Sequence, residues 1–176
     1  MNTSGNTILI TGGTSGIGFA FAEQFLELGN TVIICGRRED RLKLIKDKHP
    51  GMVTRVCDVA RQEQREELAR WVLKDYPALN IFFNNAGIQL HADLTKPVNL
   101  DRIRSEIEIN LIAPIHLASL FAPHLASKKK GAIFNISSGL AFAPLAFIPM
   151  YCATKAAMHS FTLSLPPDAK HTGESV

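Results

Sequence analysis

A glycine-rich turn lies near the amino terminus, between a run of β-branched and aliphatic residues and an amphipathic segment. The run Thr7–Thr11 predicts a buried strand, and the turn Thr11–Gly18 reads Thr-Gly-Gly-Thr-Ser-Gly-Ile-Gly. A helix that follows such a turn directs unpaired N–H groups and the positive end of its dipole towards an anion. A glycine string alone is weak evidence, but its place between a strand and a helix is typical of a dinucleotide pyrophosphate site. The candidate binding residues are Gly12, Thr14, Ser15, Gly16, Ile17 and Gly18, and a turn that binds no ligand is the alternative.

Short apolar runs alternate with longer amphipathic segments along most of the chain. The predicted strands are Thr7–Thr11, Thr31–Cys35, Val53–Cys57, Asn80–Asn84 and Ala132–Ser137. The predicted helices run from the turn to Gly29, from Arg38 to Lys48, from Arg61 to Lys74, from Leu100 towards Ala126, and from Tyr151 to a stop at Pro166. Strands separated by helices predict right-handed crossovers and a parallel sheet. We therefore expect residues 1–176 to form a single NAD(P)-binding, Rossmann-like α/β domain, a doubly wound parallel sheet with helices on both faces.

The composition excludes several classes of partner. A formal charge of +3 is too small and too dispersed to indicate nucleic acid, and we expect no membrane-spanning stretch and no signal peptide. Three cysteines and six histidines show no metal-ligand spacing, so no metal site is predicted. A sparse, odd cysteine count favours a reducing compartment, which makes a cytoplasmic location the expectation.

The end of the second predicted strand indicates which dinucleotide is bound. Gly36 stands where a dinucleotide fold places the acidic residue that binds the adenosine ribose, and Arg37 and Arg38 follow it. A carboxylate would repel a ribose 2′-phosphate, whereas guanidinium groups bind one through charge-assisted hydrogen bonds. NADP is therefore favoured over NAD. The alternative is that one arginine, Arg38 in particular, only begins the next helix.

Separate motifs follow one another in a recognisable order: the glycine turn, Asn84-Asn85-Ala86-Gly87, Asn110, Ser138, and Tyr151 with Lys155. From about residue 6 to 165 the chain resembles the short-chain dehydrogenases/reductases, and Asn84–Gln89 is similar to the DltE-like subgroup. The resemblance implies an oxidoreductase that moves hydride between a nicotinamide and a carbonyl or alcohol. It also implies that Asn84, Ala86 and Gly87 both stabilise the sheet and approach the adenosine side of the cofactor, and that Asp58 meets the adenine amino group. A helix cap is a second, compatible role for Asp58.

Tyr151 and Lys155 are four residues apart at the start of a predicted helix, so their side chains share one face. A nearby ammonium favours the phenolate, which suits Tyr151 to acid–base catalysis near neutral pH. Ser138 closes the fifth predicted strand, at the end of the sheet where ligands gather, and its hydroxyl can hold the substrate oxygen. Ser137 is the adjacent competitor. The resemblance favours Ser138 and implies that Lys155 also holds the nicotinamide ribose.

Asn110 lies four residues before Pro114 in the long predicted helix. Proline has no N–H, so the Asn110 carbonyl loses its regular partner, and we predict a kink there. The resemblance implies that this carbonyl holds a water in a proton relay to the lysine. A helix that bends for packing only is the alternative.

The apolar segment Leu140–Met150 either lines a substrate pocket beside Ser138 or packs as core, and it favours an apolar carbonyl substrate. The resemblance makes the long helix and the last helix dimer faces, which predicts a homo-oligomer. Family members are longer than this chain, so we expect the C-terminal strands of the fold to be missing. Two functional classes remain open: an active oxidoreductase, or a non-catalytic or truncated NADP(H)-binding module that acts as a fragment or partner subunit.

Overall fold

Five parallel strands form one sheet in the computed structural model, which describes residues 3–128 and 130–165. The strands are β1 (Thr7–Thr11), β2 (Thr31–Gly36), β3 (Val53–Val56), β4 (Leu79–Asn84) and β5 (Ala132–Asn135). Their order across the sheet is β3-β2-β1-β4-β5. The chain thus builds outwards from β1 in one direction and then returns to build in the other. Such a reversal opens a crevice at the carboxyl ends of β1 and β4.

Within the described part of the chain, six α-helices connect or flank the strands. They are α1 (Gly16–Glu27), α2 (Glu39–Lys48), α3 (Gln62–Asp75), α4 (Leu100–Ile107), α5 (Ala113–Ala126) and α6 (Pro149–Ser164). The helix α6 ends as expected before Pro166, which lies outside the described residues.

Alternate strand residues face two separate cores, because successive side chains of a strand point to opposite faces. Leu9, Ile33 and Phe82 pack with residues of α3 and α5, and the rings of Phe82 and Phe121 lie 4.8 Å apart. Their neighbours Ile10 and Ile34 pack on the opposite face with residues of α1 and α2. Helices on both faces of a parallel sheet confirm the predicted doubly wound architecture.

The helix expected from Leu100 to Ala126 is interrupted by a π-helix at Glu108–Ile112. Pro114 has no N–H to offer the Asn110 carbonyl, and the amide of Ala113 donates to the Glu108 carbonyl, five residues back. A π-helical turn therefore lies where the sequence predicts a kink.

The combined helical run Leu100–Ala126 is long and apolar enough to cross a membrane by length and composition, contrary to the expectation from the sequence. The packing of this run explains its apolar composition, because Leu117 and Phe121 are buried against the sheet. This is the behaviour of a core helix.

Candidate active site

A crevice of about 460 Å³ opens at the carboxyl ends of β1, β2 and β4. Eleven of the residues predicted to bind the cofactor line it: Gly12, Thr14, Ser15, Gly16, Ile17, Gly18, Arg37, Arg38, Asp58, Ala86 and Gly87. Six lining residues were not predicted from the sequence: Gly36, Cys57, Val59, Asn85, Ile88 and Ile109.

The glycine turn leaves room for an anion. Gly12 has a φ of +68°, and a Cβ atom there would lie 2.9 Å from the Ala86 Cα, so the position requires glycine. Gly16 has a φ of +58°, and a Cβ there would meet nothing within 4 Å, because the residue faces the open crevice. Ser15 caps α1 without a side-chain hydrogen bond to the amides of the helix. The first amides of α1 are therefore available to a pyrophosphate, and the residues present fit a dinucleotide.

Thr11 and Asn85 fasten the turn to the end of β4. The Thr11 hydroxyl accepts hydrogen bonds from the amides of Asn85 and Ala86, both at 3.1 Å. The Asn85 side chain donates to the Thr11 carbonyl at 2.9 Å. Polar residues at the ends of two strands were the available sequence signal, but their pairing spans more than 70 positions along the chain.

Gly36 and the two arginines form one end of the crevice. A Cβ at Gly36 would lie 2.8 Å from the Thr14 Cγ2 atom, so a side chain there would have to displace Thr14. The Arg38 guanidinium donates to the Thr14 hydroxyl at 3.0 Å and to the Ser15 hydroxyl at 2.8 Å. Arg38 also precedes α2 as its N-cap residue. In residues 3–128 and 130–165 the Arg37 guanidinium makes no hydrogen bond or ion pair, which leaves it available for a ligand.

Asp58 and Val59 line the same region, after β3. The Asp58 carboxylate accepts the amide of Ala60 at 3.1 Å, in a turn before α3. The N-cap residue of α3 is Arg61, so the helix-cap role considered for Asp58 is wrong, although the carboxylate does stabilise the preceding turn.

A buried arginine joins the two walls of this end of the crevice. Arg65 is 3% exposed, and its Nη1 atom donates to the Val59 carbonyl at 2.5 Å and to the Glu108 carboxylate at 2.6 Å. Its Nε atom donates to the Nδ1 atom of His116 at 3.0 Å. Val59 lies after β3 and Glu108 in the π-helix, so one side chain holds both elements in place.

Lys155 is 5% exposed and lies where α6 approaches the crevice. Its Nζ atom donates to the Ile136 carbonyl at 2.7 Å and lies 5.6 Å from the centre of the Tyr151 ring. Burial lowers the pKa of Lys155 to about 8. A Cβ built on Gly87, a lining residue of the crevice, would be 3.8 Å from this Nζ atom. The predicted catalytic side therefore adjoins the crevice at Gly87.

Asn110 is buried in the π-helix and reaches both neighbouring segments through its side chain. Its Oδ1 atom accepts the Ile88 amide at 2.8 Å, and its Nδ2 atom donates to the Ile88 carbonyl at 2.7 Å. The Nδ2 atom also donates to the Thr154 hydroxyl at 3.3 Å. The Thr154 hydroxyl in turn donates to the Tyr151 carbonyl at 2.8 Å. The sequence indicated a role for the main chain of Asn110, whereas these side-chain contacts were missed.

The two serines after β5 differ in what their hydroxyl groups do. The Ser137 hydroxyl donates to the Lys155 carbonyl at 3.2 Å. The Ser138 hydroxyl accepts the Leu140 amide at 3.2 Å and keeps its own hydrogen for another acceptor. This geometry favours Ser138 over its neighbour as a substrate contact.

Asn84 does not line the crevice. It is buried, and its Nδ2 atom donates to the Pro114 carbonyl at 3.1 Å and to the Asn135 side chain at 2.8 Å. Asn84 therefore has the structural role that was expected, because its side chain links β4 to β5 and to α5. Its neighbour Asn85 lines the crevice instead.

The apolar segment before α6 is mostly at the surface. Phe142 is 61% exposed, Phe147 50% and Leu145 40%, whereas Ile148 is 1% exposed. Of the two roles considered for Leu140–Met150, core packing thus holds for Ile148 and fails for these three side chains.

The arrangement matches a known family. The family model for short chain dehydrogenase matches residues 6–176. The chain belongs to this family. DltE of Bacillus subtilis, an uncharacterized oxidoreductase, is 51% identical over the whole chain, which covers 70% of DltE. This similarity confirms the DltE-like subgroup within the short-chain dehydrogenases.

Two further proteins that are similar to this chain carry information on the cofactor. The NADP-dependent 3-hydroxy acid dehydrogenase YdfG of Salmonella typhi is 30% identical over 96% of the chain, which covers 68% of YdfG. The closed form of serine dehydrogenase complexed with NADP⁺ has a TM-score of 0.83 at 28% identity, covering 89% of this chain and 64% of that protein. The chain therefore spans about two thirds of the length of these relatives.

Proposed function

We propose that this chain transfers hydride between NADP(H) and a carbonyl or alcohol substrate. The observation that carries the proposal is the meeting of two features at Gly87, the crevice below the glycine turn and the buried Lys155 ammonium beside Tyr151. The crevice suits a dinucleotide, and the pair of Lys155 and Tyr151 suits proton transfer to an oxygen. Because the crevice and the pair adjoin at Gly87, a bound dinucleotide and Tyr151 can act on the same substrate.

The protein groups have separate tasks in carbonyl reduction. The nicotinamide of NADPH, when bound, supplies the hydride. The Tyr151 hydroxyl donates a proton to the substrate oxygen, and the Lys155 ammonium provides a positive charge beside the Tyr151 ring. The Ser138 hydroxyl donates a hydrogen bond to the same oxygen. Lys155 also holds the nicotinamide ribose, and the Asn110 carbonyl holds a water that returns a proton towards Lys155.

NADP is the proposed cofactor for three reasons. Arg37 lines the crevice without another partner in the described residues, Gly36 leaves no carboxylate to repel a phosphate, and Arg38 lies beside them. The NADP-dependent YdfG and the NADP⁺ complex of serine dehydrogenase are similar to this chain. Asp58 is proposed at the adenine, and Ala86 and Gly87 along the adenosine.

The cellular location, the oligomeric state and the kind of substrate are also part of the proposal. Three free, buried cysteines suit the reducing cytoplasm. Faces of α5 and α6 are the proposed contacts of a homo-oligomer. The substrate is a small molecule, and the exposed aromatic rings of Phe142 and Phe147 support an apolar portion in it.

Titration of the purified chain with NADPH and with NADH, followed by a panel of carbonyl compounds at saturating cofactor, tests the proposal. We expect saturable binding that is tighter for NADPH, and oxidation of NADPH that depends on the carbonyl compound. Binding without turnover would favour a non-catalytic NADP(H)-binding module. Absence of binding to either cofactor would overturn the proposal.

A further inference from the structure

We infer that a second cavity, beside the Tyr151 side of the crevice, binds a hydroxyl group of the substrate, with the Glu106 carboxylate as hydrogen-bond acceptor. This inference rests on the proposed function and names its substrate class. The substrate is a carbonyl compound, or the corresponding alcohol, that carries a further hydroxyl group.

The cavity has a volume of about 310 Å³ and lies between α4 and the segment after β4. Met150, which lines it, immediately precedes Tyr151. Leu90, which also lines it, is two residues beyond Ile88 of the cofactor crevice. In the proposed complex the reacting carbon of the substrate lies near Tyr151, and the other end of the substrate extends towards this cavity.

The rim of the cavity is joined to the apolar segment before α6. The Ala92 amide donates to the Phe147 carbonyl at 3.0 Å. The rings of His91 and Phe147 stack at 5.3 Å. These contacts connect the segment after β4 to the one that leads into Tyr151.

Glu106 provides the recognition group. The residue is 1% exposed, and its Oε1 atom accepts the Leu90 amide at 3.0 Å. In the described part of the chain this amide is the one hydrogen-bond donor to the carboxylate. A carboxylate has about four acceptor sites, and Glu106 lines the cavity, so acceptor sites of this carboxylate remain available to a donor that enters it. A ligand hydroxyl would provide that second donor.

The charges around the cavity favour a neutral donor. Burial raises the pKa of Glu106, and the positive charge of Arg102 opposes that rise. Arg102 and Lys96 line the cavity together with Asp93, whose carboxylate is 3.5 Å from the Lys96 Nζ atom. The lining therefore holds two acidic and two basic side chains, and this balance favours neither an anionic nor a cationic group. A hydroxyl group can donate to the carboxylate without a charge of its own.

The first test compares 4-hydroxybutan-2-one with butan-2-one as substrates. A hydrogen bond to a charged group is worth about 1.5–3 kcal/mol, so we expect kcat/KM to favour the hydroxyketone by about 10- to 100-fold. Glu106→Gln keeps the shape and the acceptor for the Leu90 amide, but it replaces the second carboxylate oxygen with an NH₂ group. This variant should reduce the preference about tenfold.

Asp101→Asn is the matched control, because it makes the same change of charge on α4 at an exposed residue outside the cavity. The control should retain the preference of the parent. A parent without any preference for the hydroxyketone, or an unchanged preference in Glu106→Gln, would overturn the inference.

A second measurement does not need turnover. In amide NMR spectra of the full chain, butane-1,3-diol should shift the Leu90 resonance, whereas butan-2-ol should not, and Glu106→Gln should abolish the shift. Such a shift without reduction of any ketone would retain the hydroxyl site and overturn the proposed function. Reduction of both ketones at equal kcat/KM with no shift at Leu90 would retain the function and overturn the site.

Discussion

The glycine turn and the Tyr151 side of the crevice are held in place by different kinds of contact. At the turn, the contacts are mainly between main-chain atoms. Gly12 has a left-handed φ and lies against the Ala86 backbone, and the first amides of α1 face the crevice. On the other side, Lys155 and Asn110 depend on side-chain hydrogen bonds to Ile136 and Ile88 from separate elements. The shape of the turn is therefore set mainly by its own backbone, which contacts from β4 fasten in place, whereas the reactive side is set by side chains from separate elements.

This difference explains what each side can tolerate. A substitution in the turn alters backbone geometry and should affect cofactor affinity first. A substitution on the reactive side changes one side chain in an otherwise intact scaffold, and it should affect turnover first. Separate measurements of cofactor affinity and of turnover distinguish these two kinds of effect.

Tyr151→Phe should have the largest effect. The variant removes the proton donor but keeps the ring, so kcat should fall by about 10²- to 10⁴-fold, while the Kd for NADPH stays within about threefold. Stopped-flow oxidation of NADPH and fluorescence titration measure the two quantities. Undiminished reduction in this variant would remove Tyr151 from its assigned role.

Lys155 should make the stability of the protein depend on pH. Its pKa in the folded state is about 8, below the ordinary value of 10.5, so between these values the folded state has lost a proton that the unfolded state still holds. The free energy of unfolding should therefore rise with pH across this window, by up to about 3 kcal/mol, and this contribution is lost as pH falls through about 8. Urea unfolding of the parent and of Lys155→Met at several pH values measures the difference.

The exposed Lys48 provides the control for this experiment. Lys48→Met should follow the pH dependence of the parent, whereas Lys155→Met should show a flatter curve. Identical curves for the parent and Lys155→Met would contradict the assignment of this rise in stability to Lys155.

Gly12→Ala should weaken cofactor binding by about tenfold or more, because a left-handed backbone costs a non-glycine residue about 1–2 kcal/mol and the new Cβ would press on the Ala86 backbone. Gly29→Ala is the matched control: Gly29 also has a positive φ, of +80°, but nothing lies within 4 Å of its Cβ position. Isothermal titration with NADPH compares the variants at matched folded fraction. Equal loss of affinity in both would show a general effect of backbone strain.

Arg37→Asp should have the smallest effect of the four, a change of roughly tenfold in the ratio of the Kd values for NADPH and NADH. The carboxylate would repel the 2′-phosphate and leave NADH binding nearly intact. Arg41→Asp, at an exposed position of α2 that does not line the crevice, should leave the ratio unchanged. A parent that binds both cofactors equally would contradict the role of Arg37.

The sequence predicted the sheet and the turn well because both depend on local patterns. All five strands were predicted at their positions in the chain. The strand β5 ends at Asn135 and not at Ser137, because beyond Asn135 the pairing continues only through the Ile136 amide, which donates to the Asn84 carbonyl. Pro114 indicated the irregular turn at Asn110 because a missing N–H is a property of one residue.

The long-range side-chain contacts around the two cavities were not predictable in the same way. Arg65 bonds to Glu108 and His116, which are 43 and 51 positions away, and no local pattern specifies that pairing. Glu106 was missed because an acidic residue in a helix is normally solvated, and only the fold shows that its carboxylate is buried against the Leu90 amide.

The crevice is proposed to bring a nicotinamide against the Tyr151 side, and deuterium transfer tests this placement most directly. The purified chain is incubated with NADPH carrying deuterium at C4 and with a carbonyl compound that it reduces, and the product is analysed by mass spectrometry. We expect deuterium on the carbon that bears the new hydroxyl group, delivered from one of the two C4 positions. Saturated binding of NADPH with no deuterium in the product from any carbonyl compound would contradict the account.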